Sequence, residues 1–283
     1  MHAHTSRSAL RPAAVAGLFY PSEADELRAT VRALLTAAGT DERPRMRAGA
    51  PGAVRVPKAL ILPHAGYVYS GAVAARGYAT LGAAARTLRR VLLLGPAHRI
   101  WLRGLALPAT QAFATPLGAM PVDTDAIQAL RRLPGVTVSD EAHAFEHSLE
   151  VQLPFLQQLA PDARIVPVVA GEASSGEVAA VIDALWDGPE TLIIVSSDLS
   201  HYQPYASACA TDRATAQAIV AARENLCGDE ACGAVAINGL AHVARRRGLR
   251  IEILDLRNSG DTAGERSRVV GYGAFGYYDA RDS

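Results

Sequence analysis

Short, continuously apolar runs alternate along this 283-residue chain with longer segments whose apolar residues recur at helical spacing. The runs occupy residues 59–62, 91–94, 164–169, 191–195, 250–254 and 268–278. Runs of this kind are typical of strands buried on both faces of a parallel or mixed sheet that is covered by helices. The segments between them predict helices over 70–81, 124–133, 146–159, 176–186, 206–222 and 233–247. The alternation therefore predicts an α/β fold.

A further helix is predicted to begin at Ser22 and end at Gly39, because a capping serine is followed by acidic residues and an apolar stripe. Residues 39–57 are rich in Gly, Pro and Arg, which predicts a surface loop or insertion. Residues 1–10 are expected to be a disordered start. The rest, residues 11–283, is short for two domains, so we expect a single one.

The charge pattern excludes several kinds of partner. The 28 basic and 28 acidic residues cancel, and no long run of either sign occurs. We therefore expect no nucleic acid and no membrane surface as partners. No apolar stretch approaches the roughly 20 residues that span a bilayer. Three cysteines are an odd number for a disulfide framework, and no convincing export signal is found, so a cytoplasmic protein is expected.

Histidines follow three of the apolar runs, at the points where the predicted strands end. His64 and His98 follow the first two runs, and Asp198 and His201 follow the fourth. Ligands of open α/β sheets bind at the carboxyl ends of the strands, so these side chains are expected to converge. Neutral imidazoles suit zinc, copper or iron. Each histidine alone is more typical of an ordinary turn residue, so the metal-site hypothesis depends on all three.

Cys232 stands at the start of the predicted helix 233–247. A thiol at a helix N-terminus is expected to have a lowered pKa, which makes it a better metal ligand or nucleophile. The alternative is a small buried residue packed under the sheet. Cys227, five residues earlier, could also pair with it in a redox couple or a zinc site, although the spacing is not C-x-x-C.

The segment from His143 to His147 matches H-x-x-E-H, the motif of inverted zinc peptidases. In that motif two histidines of one helix bind zinc, and the glutamate, here Glu146, activates water. The motif needs a helix through all five residues, and Pro154 together with the strand-like residues before His143 counts against one. The alternative is that Glu146 orients His147 or backbone near the site.

Eight motifs follow one another along nearly the whole chain, from about residue 11 to residue 277. They are PHAGYVYSG (63–71), LLLGPAH (92–98), TPLG (115–118), EHSLEVQLPFLQ (146–157), IVPVVAG (165–171), SSDLSHY (196–202), CG (232–233) and VVGYGAFGY (269–277). Together they resemble the Memo family, also called protein B of the AmmeMemoRadiSam system. The resemblance implies the fold of the class III extradiol dioxygenases, which have a mixed central β-sheet flanked by helices and use non-haem iron.

The resemblance also implies a set of site residues. His64, His98 and Cys232 match the metal ligands of the family, which implies a His/His/Cys site for one transition metal ion, iron(II) or copper, with zinc as a third option. His201 matches the place where the dioxygenases keep a catalytic base, and Asp198 lies beside it. Because Cys232 replaces the carboxylate of the dioxygenases, a soft ligand replaces a hard one and extradiol chemistry does not follow automatically.

Glu146, His147 and Tyr67 are expected around that site, in contact with the ligands or with substrate. Family members in animals are described as signalling adaptors, and bacterial ones are named alongside a radical SAM protein. The implied partners are thus a small molecule or peptide in the cleft, a radical SAM protein and the other AmmeMemoRadiSam component.

Three functional hypotheses follow. The first is a metal-dependent redox enzyme or dioxygenase-like protein with its site at the carboxyl ends of the strands. The second is a non-catalytic module that binds a peptide or partner protein in a vestigial dioxygenase cleft. The third is a zinc peptidase that uses His143, Glu146 and His147.

Overall fold

All six apolar runs form strands in the computed structural model, which describes residues 9–40 and 55–279. The strands are β1 (Leu10–Arg11), β2 (Ala59–Leu62), β3 (Arg90–Pro96), β4 (Leu105–Leu107), β5 (Ala112–Thr115), β6 (Gly118–Pro121), β7 (Val136–Val138), β8 (Arg164–Ala170), β9 (Thr191–Ser196), β10 (His201–Gln203), β11 (Arg250–Asn258) and β12 (Val269–Tyr278). The runs correspond to β2, β3, β8, β9, β11 and β12. The other strands have two to four residues and lie in mixed stretches that no apolar run marks.

Nine strands of the described chain form one mixed sheet, in the order β10-β12-β2-β9-β3-β8-β4-β7, with β11 paired to β12. Its central strands β2, β9, β3 and β8 are parallel neighbours. At the flanks, β12 runs antiparallel to β2, and β4 runs antiparallel to β8. Strands β1, β5 and β6 form a separate three-stranded sheet. The mixed central sheet agrees with the prediction.

Helices flank this sheet and bury its central strands. They are α1 (Ala24–Thr40), α2 (Ala72–Tyr78), α3 (Thr124–Leu130), α4 (Asp140–Ala144), α5 (His147–Glu150), α6 (Leu153–Leu159), α7 (Ser175–Ala184), α8 (Tyr205–Val220) and α9 (Ala234–Arg247). Helix α1 packs on α2 and α6, whereas α7 packs on α9 and α3. Every residue of β2 and β9 is buried, as continuously apolar runs require. The chain is a single α/β domain.

Two predicted helices differ in detail. The segment 146–159 forms two short helices, α5 and α6, because Pro154 lies in the first turn of α6. A proline lacks the N–H that a helix interior needs, and the first turn is where its loss costs nothing. The segment 70–81 starts as a π-helical turn over Tyr67–Gly71, continues as α2 and ends in a 3-10 stretch over Ala79–Thr87.

Residues 1–8 and 41–54 lie outside the described residues, and with them most of the expected disordered start and of the expected loop 39–57. Leu10 already belongs to β1, and α1 extends through Thr40. None of the helices in the described residues is long and apolar enough to cross a membrane.

Candidate metal centre

The carboxyl ends of three adjacent strands place the predicted site residues side by side. Strand β9 lies between β2 and β3, and all three are parallel. Among the described residues, His64, His98 and His147 each offer one ring nitrogen such that these atoms lie within 4.8 Å of one another. Three imidazoles at this spacing can reach one ion, so this three-histidine cluster is a potential metal site.

His147 enters the cluster from helix α5 rather than from a strand end. Glu146 caps that helix, since its carboxylate accepts the backbone N–H of Ser148 at 2.9 Å. Helix α5 approaches β3 at Gly95, where a Cβ atom would lie 2.6 Å from the Ser148 Oγ. Any side chain at Gly95 would therefore push α5 and His147 away from the sheet.

Ser196 determines which nitrogen of His64 carries the proton. Its hydroxyl donates its only proton to the Ser148 carbonyl at 2.6 Å. The same oxygen must therefore accept from Nε2 of Gln152 at 2.9 Å and from Nδ1 of His64 at 3.1 Å. With the proton on Nδ1, the Nε2 atom of His64 keeps the lone pair that a metal needs. The sequence pattern did not identify Ser196 or Gln152 as members of this hydrogen-bond network, although Gln152 is the one polar residue in VQLPFL (151–156).

Glu146 orients His98 in the same way. Its Oε1 lies 2.9 Å from Nδ1 of His98, and its Oε2 accepts the His98 backbone N–H at 2.7 Å. Burial alone would raise the pKa of Glu146, but the hydrogen bond and charge of His98, together with backbone donors, lower it to about 2. An ionised carboxylate can only accept, so Nδ1 of His98 carries a proton, and in the neutral ring Nε2 holds the lone pair.

The third histidine, His147, has a buried nitrogen without a protein partner. Its Nδ1 makes no hydrogen bond to any described residue. It lies 3.3 Å from Oε1 of Glu146, at an angle that does not form one. Burial lowers the pKa of His147 to about 4 and lowers that of His64 well below its usual value. The imidazoles of His64 and His147 are thus neutral, and a metal ion would suit this donor set.

Cys232 contacts one edge of the cluster. Its Sγ lies 3.3 Å from Nε2 of His64, but it is not among the atoms that all lie within 4.8 Å of one another. Burial raises the pKa of the Cys232 thiol to about 12, so the expectation of a lowered pKa is wrong. The reason is that burial, together with the charge of Asp198, outweighs the hydrogen bonds at Ser197 and Gly233, which lower the pKa.

Asp198 holds the turn that carries His64. Its carboxylate accepts the backbone N–H of His64 at 2.7 Å and also that of Ala65. Burial raises the pKa of Asp198 to about 7. These contacts make Asp198 a residue that positions the strand end, and it also lines the cleft beside the cluster.

His201 lines the cleft as well. Burial lowers the pKa of His201, so the neutral ring keeps one nitrogen lone pair. Tyr67, in contrast, is buried, and its hydroxyl donates to the Val151 carbonyl at 2.7 Å. It is absent from the lining of the cleft, which instead contains Tyr69 and Tyr272.

The cleft above the cluster has a volume of about 630 Å³. Aromatic rings and two arginines form much of its wall. They are Phe19, Tyr69, Tyr202, Tyr272, Arg99 and Arg268. A cleft of this volume can hold a small molecule next to the cluster.

The peptidase motif is not formed. Helix α4 ends at Ala144, and Glu146 is extended (φ −78°, ψ 123°) before α5 begins. His143 is buried outside the cluster, with Nε2 3.1 Å from the Ala106 carbonyl oxygen. Because no single helix passes through the motif, its two histidines cannot bind one zinc ion, and the zinc-peptidase hypothesis is wrong.

The fold and the site together define an α/β protein with a potential metal-binding histidine cluster at the carboxyl edge of its parallel strands. Residues 11–275 match the family model described as Memo-like protein. A MEMO1 family protein of Ignicoccus hospitalis is 35% identical over 94% of this chain and 97% of its own length. Those of Aeropyrum pernix (36%, covering 94% and 98%) and Aquifex aeolicus (31%, covering 93% and 97%) are similar. The chain belongs to the Memo family, as its motifs predict.

Proposed function

We propose that this chain is a metal-dependent redox protein of a dioxygenase-like type, which binds iron(II) or copper, or alternatively zinc, through His64 and His98. The observation that carries the proposal is the pair of fixed tautomers. Both Nδ1 atoms have partners, in Ser196 and Glu146, so in each neutral ring the lone pair for a metal is on Nε2. Metal-bound histidines almost always have such a partner on the other nitrogen.

Cys232 and His147 are the two candidates for further ligands. The family resemblance favours Cys232, and its 3.3 Å contact with Nε2 of His64 is close to the separation between ligands of one ion. A sulfur and a nitrogen ligand of one tetrahedral zinc ion are about 3.5 Å apart. The cluster geometry favours His147, whose buried Nδ1 lacks a partner. We propose that both take part, and a thiolate in the set would favour copper(I), zinc or sulfur-ligated iron(II).

A bound transition metal would supply Lewis acidity and electron transfer. The protein itself orients the substrate and moves its proton. We propose His201 as the general base, because it faces the cleft and keeps one lone pair. Asp198 supports this chemistry indirectly, since it holds the backbone of His64 in place. The aromatic walls of the cleft would exclude water from one face of a bound substrate.

The first test is the metal content of protein purified without oxygen. We expect about one ion per chain in the wild type and none in a His64→Ala/His98→Ala double variant. His242→Ala is the matched control, because His242 pairs with Glu224, away from the cluster. Equal metal content in the wild type and the double variant would contradict the proposal and leave the binding-module hypothesis in its place.

The second test separates the two candidate ligands. Cobalt(II) bound to a thiolate absorbs strongly in the near ultraviolet, so Cys232→Ser should remove that band if Cys232 is a ligand. His147→Ala should weaken cobalt binding and keep the band. A band that is absent from the wild type would exclude Cys232, and unchanged affinity in His147→Ala would exclude His147.

A further inference from the structure

A second cavity continues the cleft along the N-terminal segment. It has a volume of about 380 Å³ and shares Phe19 and Arg99 with the cleft. Its other lining residues are Ala14, Val15, Leu18 and Phe145. A third cavity of about 270 Å³ shares Ala14 and Phe145 with it, and its exposed lining is mostly apolar although Arg11, Asp140 and His143 also contribute to it. We call the second and third cavities together the apolar groove. It begins at the wall of the histidine site and leads away from it.

The apolar groove has two large apolar side chains that face solvent. Leu18 is 79% exposed and Phe145 is 71% exposed. Scattered exposed apolar side chains are common, but these two flank one cavity that opens into a binding cleft. A contiguous apolar surface in that position marks a place that a ligand covers.

The two walls of the apolar groove are held together by buried polar contacts. Arg11 forms an ion pair with Glu150. It also donates to the carbonyls of His143 at 2.9 Å and Glu146 at 2.7 Å, on either side of Phe145. The N-terminal wall and the wall that carries Phe145 therefore keep a fixed separation. A preformed groove costs its ligand little ordering.

The N-terminal wall of the apolar groove, formed by Ala14, Val15, Leu18 and Phe19, has few backbone N–H groups that could pair with an extended peptide. The N–H groups of Ala14 and Val15 donate to Glu150, at 2.8 and 3.0 Å. Those of Leu18 and Phe19 donate to the Val15 carbonyl, and the Phe19 carbonyl accepts from Tyr67. A peptide strand gains its affinity from free main-chain groups, and these four N–H groups are already used. An apolar chain needs none of them.

We propose that the ligand of the histidine site carries an apolar arm, an alkyl chain, that lies in the apolar groove between Leu18 and Phe145. This inference rests on the proposed function, because the arm is attached to a head group bound at the cluster. It assigns the substrate class as an amphiphilic small molecule: a polar, metal-directed head and an extended apolar tail. Arg99 lies at the junction, where head and tail meet.

The test uses n-alkyl hydroxamates from acetohydroxamate to octanohydroxamate on zinc-loaded protein, with dissociation constants measured by calorimetry. Acetohydroxamate reports the head alone. Each added methylene should tighten binding about two- to fourfold, as expected for partial to full burial of a CH₂ group. In Leu18→Ser and Phe145→Ser the gain in affinity per added methylene should fall towards onefold, which means no gain. Acetohydroxamate should bind these variants as it binds the wild type. Val68→Ser is the matched control, because Val68 is 67% exposed and lines none of these cavities.

A chain-length series that is flat, or that the two groove variants leave unchanged, overturns the inference. So does a blocked tripeptide of leucine that binds more tightly than octanohydroxamate, since the groove would then be a peptide site. Comparison of n-butanol with n-octanol on metal-free protein separates the groove from the metal. Tighter binding of octanol that depends on Leu18, without binding of acetohydroxamate to the zinc-loaded protein, would support the groove and refute the metal site.

Discussion

The Ser196 hydroxyl oxygen lies 3.1 Å from Nδ1 of His64, at the end of a buried hydrogen-bond chain that begins at Tyr78. The Tyr78 hydroxyl donates to Oε1 of Gln152, and Nε2 of Gln152 donates to Ser196. None of these three side chains belongs to the cluster. They nevertheless decide that His64 presents an unprotonated nitrogen to it. The Gln152 amide donates to Ser196 and the Ser196 hydroxyl donates to the Ser148 carbonyl, so the Ser196 oxygen can only accept from Nδ1 of His64.

Removal of that hydroxyl should weaken metal binding without removing a ligand. Ser196→Ala leaves His64 free to rotate or to change tautomer, and losses of about 10- to 100-fold in metal affinity are usual for such changes. Competition with a chromophoric chelator measures the affinity. Thr80→Ala is the control, since it removes a buried hydroxyl that donates to the Gly77 carbonyl at 2.6 Å. Equal affinity in the wild type and Ser196→Ala would contradict the tautomer argument.

Gly95→Ala should lower both stability and metal affinity. The new Cβ would meet Oγ of Ser148 at 2.6 Å and a Leu149 methyl at 2.8 Å, so helix α5 must shift and take His147 with it. Overpacking of this kind costs about 1–3 kcal/mol in the free energy of unfolding, which urea denaturation measures. Gly228→Ala provides the comparison, because a Cβ there has nothing within 4 Å. If the unfolding curve of Gly95→Ala coincides with that of the wild type, the prediction is wrong and helix α5 can move without loss of stability.

Glu150→Ala should be strongly destabilising. It would leave the buried guanidinium of Arg11 without its carboxylate and would also remove the acceptor of the Tyr20 hydroxyl. Breaking a buried ion pair by removal of one partner costs about 3–5 kcal/mol in the free energy of unfolding. Asp25→Ala breaks the exposed pair with Arg28, and it should cost no more than about 1 kcal/mol. Similar losses in the two variants would contradict this difference.

Stability should fall in mild acid, in part because of His143. Burial lowers its pKa to about 4, below the usual 6.5. Between these values the unfolded chain binds more protons than the folded one, so the contribution is complete above pH 6.5 and is lost as the pH falls towards 4. Its full size is roughly 3 kcal/mol. Urea denaturation of the wild type and His143→Gln at pH 7 and pH 4.5 isolates this part, and parallel losses in both proteins would refute it.

The elements that could be predicted were those whose local pattern matches their environment. The runs at 59–62 and 191–195 are apolar throughout because β2 and β9 are covered on both faces. Strands β4 and β7 have only three residues each, and a pattern that short does not distinguish a strand from a loop segment. The helix expected over 146–159 is divided because the capping by Glu146 and the position of Pro154 define two starts.

For the site, the sequence by itself determined that histidines follow the ends of β2 and β3. The order of the parallel strands, with only β9 between these two, then brings both strand ends to the same edge of the sheet. It also determined membership of the Memo family through motifs that cover most of the chain. Only the tertiary structure decided that His147 completes the cluster, that Cys232 touches one edge of it, and that His143 lies elsewhere. The physical reason is that strand ends follow from local pattern, whereas the contacts of α5 and α9 depend on how helices far apart in sequence pack against the sheet.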